Sequence, residues 1–233
     1  MSALGHTILL QWKLNYRSKE VLIHFYIVPL LFYVFIGNIF VSLNPSSVSS
    51  IVYSMSIFGI CMGGILGYPY PLVEIFASDI RKAYKAAHIP LGAIVWSHVI
   101  SGVIHLFLLS MIIYITSPII FNTSLDLDLA KFMLTSIVLI IANVSIGSVF
   151  GLCVKSVSKL SLLTQLVFLP SIMLSGIMFP TSMLPVFFQR LGYILPATWG
   201  YSLLTTGDSV GFVVLIGISV VMFGVCWWRV NRV

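Results

Sequence analysis

The chain has 233 residues, 59% of them hydrophobic and 8% charged, with a formal net charge of +6 and a mean hydropathy of +1.10. A soluble domain carries about a quarter charged residues, so a water-soluble globule is excluded and an integral membrane protein is predicted. Continuous apolar runs, rather than short alternating segments, exclude a β-barrel and point to an all-α polytopic bundle.

Residues 1–20, beginning "MSALGHTILLQWKLNYRSKE", place Leu4, Ile8 and Trp12 opposite His6, Lys13 and Arg17 when wound as a helix. That pattern predicts an interfacial helix. No cleavable signal peptide is expected, because Lys13, Arg17 and Lys19 come late and close to the first long apolar run. Crossing a hydrocarbon core takes roughly 20 apolar residues. Six runs qualify: Val21–Leu43, Ser49–Tyr68, Leu91–Thr116, Phe132–Val154, Leu160–Phe179 and Val210–Trp228.

Span two carries Gly59, Gly63 and Gly67 at four-residue spacing, and span four carries Asn143, Gly147 and Gly151. Such faces admit another helix closely, either inside one subunit or across a dimer seam. Between spans two and three lies "EIFASDIRKAYKAAHIP", residues 74–90. Ser78 is expected to cap a helix there, with Asp79 in its first turn, Arg81, Lys82, Lys85 and His88 toward its end, and Pro90 as its stop. Phe76, Ile80, Ala83, Tyr84 and Ala87 recur at helical spacing and form an apolar stripe beside a basic face. The segment either rests on anionic lipid or seats its stripe in a partner's groove.

In span three Ser97, His98, Ser101 and His105 fall within about a third of the helix circumference at 100° per residue. With Asn143 they form a polar face that turns inward, either lining a path or exchanging packing hydrogen bonds. No Asp, Glu, Lys or Arg stands in the middle third of any run, which argues against a proton-driven carrier. After span five, residues 180–207 stay greasy while Pro180, Pro185 and Pro196 interrupt them. Backbone of that kind at membrane depth has to be buried in protein or beside a cavity. Leu184–Leu195 is therefore predicted as one or two short external re-entrant helices, with Tyr193, Trp199 and Tyr201 at headgroup level.

Ten of the twelve Lys and Arg residues flank one side of this arrangement, and Lys131 and Arg190 the other. Basic residues stay inside, so both termini are expected to be cytoplasmic, in the inner membrane of the cell. A basic rim facing anionic lipid then accounts for the net charge without a nucleic-acid partner.

Cys61, Cys153 and Cys226 lie in predicted spans and read as small hydrophobes, with no disulfide or metal cluster. Gly207-Asp208-Ser209-Val210-Gly211 matches G-x-S-x-G but lacks the strand that a nucleophile elbow needs; Asp208 and Ser209 instead cap the last span. His98 and His105 lack the carboxylates and spacing of a zinc site. The dipeptide Gly-Lys is absent, so the chain has no phosphate loop of its own.

The layout, together with "AAHIPLGAIVW" and "LSGIMFPTSMLPVFFQRLGYILPATWGYSLL", resembles the membrane subunit of an ABC-2-type transporter. The family often has Glu-Arg followed soon by Gly; here Glu74 precedes Ile75, and the next glycine is Gly92. The resemblance implies a half-permease that pairs with a second copy or a sibling. It also implies that residues 74–90 are a coupling helix docking on a separate nucleotide-binding ATPase, with Glu74, Phe76, Ile80, Arg81, Tyr84 and Lys85 at the contact. ATP and Mg would be held by that partner, with no cofactor in this chain. Export of a drug, an antimicrobial or toxin peptide leads, and envelope glycolipid export follows. The alternative from another class is an ATP-independent channel or membrane scaffold; an intramembrane enzyme would need acids or metal ligands at depth.

Overall fold

The computed structural model describes residues 19–43, 48–122 and 128–232. The interfacial helix predicted over residues 1–20 lies, but for its last two residues, outside them. Six helices are long and apolar enough to cross a membrane: α1 (Ile23–Leu43), α2 (Val48–Phe76), α4 (Leu91–Phe121), α5 (Leu129–Cys153), α6 (Val157–Leu174) and α9 (Val210–Arg232). Three short helices join them: α3 (Ile80–Ala86), α7 (Val186–Gly192) and α8 (Pro196–Thr205). No strand occurs among the described residues. The predicted all-α, six-span class is therefore the observed one.

Helix α2 is the hub, with 83% of its most apolar stretch buried against 17% in α1 and 22% in α9. Large apolar side chains on α1, α6 and α9, such as Phe35, Leu166 and Val213, point outward, as a lipid-facing surface requires. None of the buried side chains among the described residues is Asp, Glu, Lys or Arg.

Span two runs to Phe76, eight residues beyond its predicted end at Tyr68. Pro69 and Pro71 lie in this extension, and proline in a helix lacks an N–H while its ring strikes the carbonyl four residues back. A π-helical turn at Met62–Gly67 removes that conflict, since the amide of Tyr68 reaches back five residues to the Gly63 carbonyl at 2.7 Å. The same device recurs in α1, where a π turn at Ile23–Ile27 precedes Pro29 and the Val28 amide bonds to Ile23. The two turns are packed together: Phe25 lies against both Gly63 and Gly67.

Span three likewise passes Pro118 and ends at Phe121. The Ile113 carbonyl in the preceding turns is bonded by the Tyr33 hydroxyl at 3.3 Å and by Ser117. A hydroxyl from a neighbouring helix and a local one thus reach a backbone carbonyl in the turn before Pro118. Span five stops at Leu174, short of the predicted Phe179, because the chain turns through Gly176 at φ +89°.

Both glycine faces serve packing inside the subunit. Gly59 and Gly63 admit Leu109 and Leu106 of α4, while Gly147 and Gly151 of α5 receive Gly64, Tyr68 and Leu72 of α2. Between α6 and α9, α7 and α8 follow each other as two short helices, so the helical part of this segment extends to Thr205, past the predicted limit at Leu195. Thr198 donates to the Gly192 carbonyl at 2.6 Å and the Trp199 indole to the Tyr193 carbonyl at 2.8 Å, tying α8 to α7.

Candidate functional site

Two ends of the bundle differ in chemistry. The basic end carries Arg81, Lys82, Lys85, Lys155, Lys159, Arg229 and Arg232; the far end carries α7, α8 and the start of α2.

At the basic end, α2 continues into the 74–90 segment as two helices rather than one. Phe76 closes α2 with its ring 8% exposed, in the core. It is therefore separated from the stripe predicted to include it. The chain then turns at Ala77–Asp79 and α3 begins at Ile80. Ser78 does not cap α3 as its N-cap residue: its hydroxyl donates to the Glu74 carbonyl at 2.6 Å and receives the Ile80 amide at 3.3 Å. Asp79 occupies the N-cap position, and its carboxylate pairs with Lys82 at 2.7 Å. That pair is solvent-exposed and adds little stability.

Helix α3 ends before Pro90 is reached. His88 adopts φ +55°, and the amides of His88 and Ile89 return to Lys85 and Tyr84 at 3.0 Å each. This is a Schellman turn, with histidine in the left-handed position glycine usually takes. The face left open carries Ile80 at 48% and Ile89 at 40% exposure, flanked by exposed Glu74, Lys82 and Lys85. Tyr84 is partly buried, packed on the core, and Arg81 is half-buried.

The polar face of span three turns inward as expected. Ser97, His98, Ser101, His105 and Asn143 are all at most 2% exposed. His98 bonds the Tyr68 carbonyl at 3.0 Å through Nε2, and the Tyr68 hydroxyl meets Ser148 at 3.0 Å. Tyr26 meets Nδ1 of His105 at 2.7 Å. Asn143 donates to the Leu139 carbonyl of its own helix. These residues join α1, α2, α4 and α5, and none of them lines a cavity described below. Among the described residues no group of His, Cys, Asp and Glu is placed to hold a metal. Cys61 and Cys226 are buried thiols, while Cys153 is exposed. The Gly207–Gly211 stretch forms a turn and the start of α9, whose Val210 amide is capped by Asp208 at 3.0 Å.

At the far end lies a cavity of about 510 Å³. The first turns of α2 form one wall, the end of α6 and the Gly176 turn a second, and α7 with α8 the third; Phe40 of α1 stands at its edge. The sequence reading put residues 180–207 either buried in protein or beside a cavity; it named Pro180, Tyr193 and Tyr201, which line the cavity, only as a helix breaker and as headgroup-level aromatics. The available signal was hydroxyl residues at the ends of three separate apolar runs: Ser50 and Ser54, Ser175, and Thr205 with Thr206.

A family model described as ABC-2 type transporter matches residues 6–207. That stretch takes in five of the six spans, α3, α7 and α8. No curated protein matches the chain.

Proposed function

The chain belongs to the ABC-2 type transporter family and has a permease role in ABC transport, and from this premise we propose that it is a half-permease of an ATP-driven exporter. In this reading it pairs with a second copy or a sibling permease, and a separate nucleotide-binding subunit holds ATP and Mg. The basic end faces the cytoplasm of the cell, consistent with retention of Lys and Arg inside. The substrate is amphipathic or lipidic: a drug, an antimicrobial or toxin peptide, or an envelope glycolipid.

The observation that carries the reading is α3. It is a short helix with an exposed Ile80 and a basic flank, joined by a three-residue turn to the most buried helix of the bundle. A push on α3 is delivered directly to the end of α2, and Phe76, seated in the core, takes up that force. Glu74, Ile80, Arg81, Tyr84 and Lys85 are the proposed contact residues, with Phe76 acting from behind them. Ser97, His98, Ser101, His105 and Asn143 then serve the packing of α1, α2, α4 and α5 rather than the path.

The test is copurification of an ATPase subunit with the permease in mild detergent, followed by hydrolysis in reconstituted membranes. An ATP-independent channel or scaffold would show neither an associated ATPase nor stimulated hydrolysis.

A further inference from the structure

The far-end cavity carries many hydrogen-bonding groups and, among the described residues that line it, no charge. More than half of its lining residues bear a hydroxyl or amide, among them Ser54, Thr181, Ser182, Gln189 and Thr205. Among the described residues that line it, none is Asp, Glu, Lys, Arg or His. The nearby Lys131 is engaged elsewhere, donating to the Leu204 carbonyl at 3.1 Å. Apolar side chains, including Ile51, Met55 and Ile177, line the cavity as well.

A volume of about 510 Å³ falls within the range of small-molecule sites. A charged group drawn past the exposed rim to the buried wall at Ser54 and Ser175 would lose water without meeting an opposite charge among the described lining residues, which is costly. A ligand hydroxyl can donate to the oxygens of Thr198 and Thr205, whose own protons go to the Gly192 and Tyr201 carbonyls, while the hydroxyls of Ser54, Thr181 and Ser182 can both donate and accept. The apolar lining suits a hydrocarbon tail.

From this arrangement we infer that the far-end cavity binds an amphiphile with an uncharged, hydroxyl-rich headgroup, and discriminates against anionic and cationic headgroups on the same tail. The inference rests on the exporter reading for its place in transport, and narrows that reading's substrate to neutral polyhydroxylated amphiphiles.

The experiment uses the full chain in lipid nanodiscs without any ATPase. A Ser182→Cys reporter in a Cys153→Ser background is alkylated with a maleimide in the presence of octyl glucoside, octyl sulfate or octyltrimethylammonium, each below its micellar concentration. Octyl glucoside is expected to slow labelling about fivefold and the two charged probes less than about twofold, a separation of the size that loss of about one hydrogen bond produces. Thr205→Phe, a change on the exposed rim, and Ser54→Phe, a change on the wall, are each expected to abolish the protection. Equal protection by all three probes, stronger protection by a charged probe, or protection surviving in Thr205→Phe overturns the inference. Because no ATPase is present, such a result leaves the exporter reading standing, whereas failure of ATPase association would leave the labelling result unaltered.

Discussion

The α-carbon of Gly147 on α5 lies against the carbonyl oxygen of Gly64 on α2, so close that a β-carbon at position 147 would overlap it. The ring of Tyr68 closes the same space from the side, 2.9 Å from where that carbon would sit. Neither neighbour yields easily, since one is backbone and the other is a fully buried tyrosine. Gly147→Ala is expected to destabilise the bundle by about 1–3 kcal/mol, the range for overpacking a close-packed interior. Gly217→Ala and Gly224→Ala, where nothing lies within 4 Å, are expected to leave stability unchanged or slightly raised. Thermal unfolding of the purified variants in one detergent makes the comparison, and equal melting points for Gly147→Ala and Gly224→Ala would refute the packing described.

The two halves of the 74–90 segment should separate by mutation. Phe76→Ala opens a cavity in the core and is expected to cost about 3–5 kcal/mol of stability. Ile80→Ala, on the exposed face of α3, is expected to leave folding intact and weaken ATPase association by about 2 kcal/mol, the size of a central anchor. Lys82→Gln should do less, because its partner Asp79 is exposed. Full ATPase coupling in an Ile80→Ala/Tyr84→Ala double variant would favour a helix that only rests on lipid.

Lys131 joins α5 to the last turn of α8 through the Leu204 carbonyl. A cation there also faces the negative end of the α8 dipole. Lys131→Met is expected to loosen α8 by roughly 0.3–1 kcal/mol. Hydrogen exchange of the α8 amides should accelerate while that of α2 does not change; acceleration throughout the bundle would instead mark Lys131 as a determinant of global stability.

A β-carbon at Gly192 would lie 2.7 Å from the Leu174 carbonyl oxygen. Gly192→Ala is therefore expected to unseat α7 from the end of α6, and Gly192→Lys to do so more severely by adding a charge at a buried position. The check is assembled yield and transport in membranes. Wild-type behaviour of Gly192→Lys would make α7 an ordinary surface element.

Orientation is tested with Ser158→Cys near the basic end and Thr206→Cys at the far end, each in a Cys153→Ser background because Cys153 is exposed. In intact cells an impermeant thiol reagent should modify Thr206→Cys and spare Ser158→Cys. The reverse pattern would invert the proposed topology.

The six spans and the all-α class were readable from the sequence because hydrocarbon imposes a local rule: about 20 apolar residues per crossing and internally satisfied backbone. The inward turn of Ser97, His98, Ser101 and His105 was readable for the same reason, since their spacing places them on one face that lipid would reject. What escaped the sequence depended on partners distant in the chain. Span two reads as ending at Tyr68, whereas the π turn at Met62–Gly67 carries the helix past Pro69 to Phe76. Phe76 has the spacing of an exposed stripe, yet it is buried at the end of α2 while Ile80 begins a new helix. The cavity brings Ser54 of α2 together with Thr205 of α8, residues whose separation hides them from any local pattern. Periodicity reports which face of one helix avoids lipid, but only the packing of helices against each other decides where space is left between them.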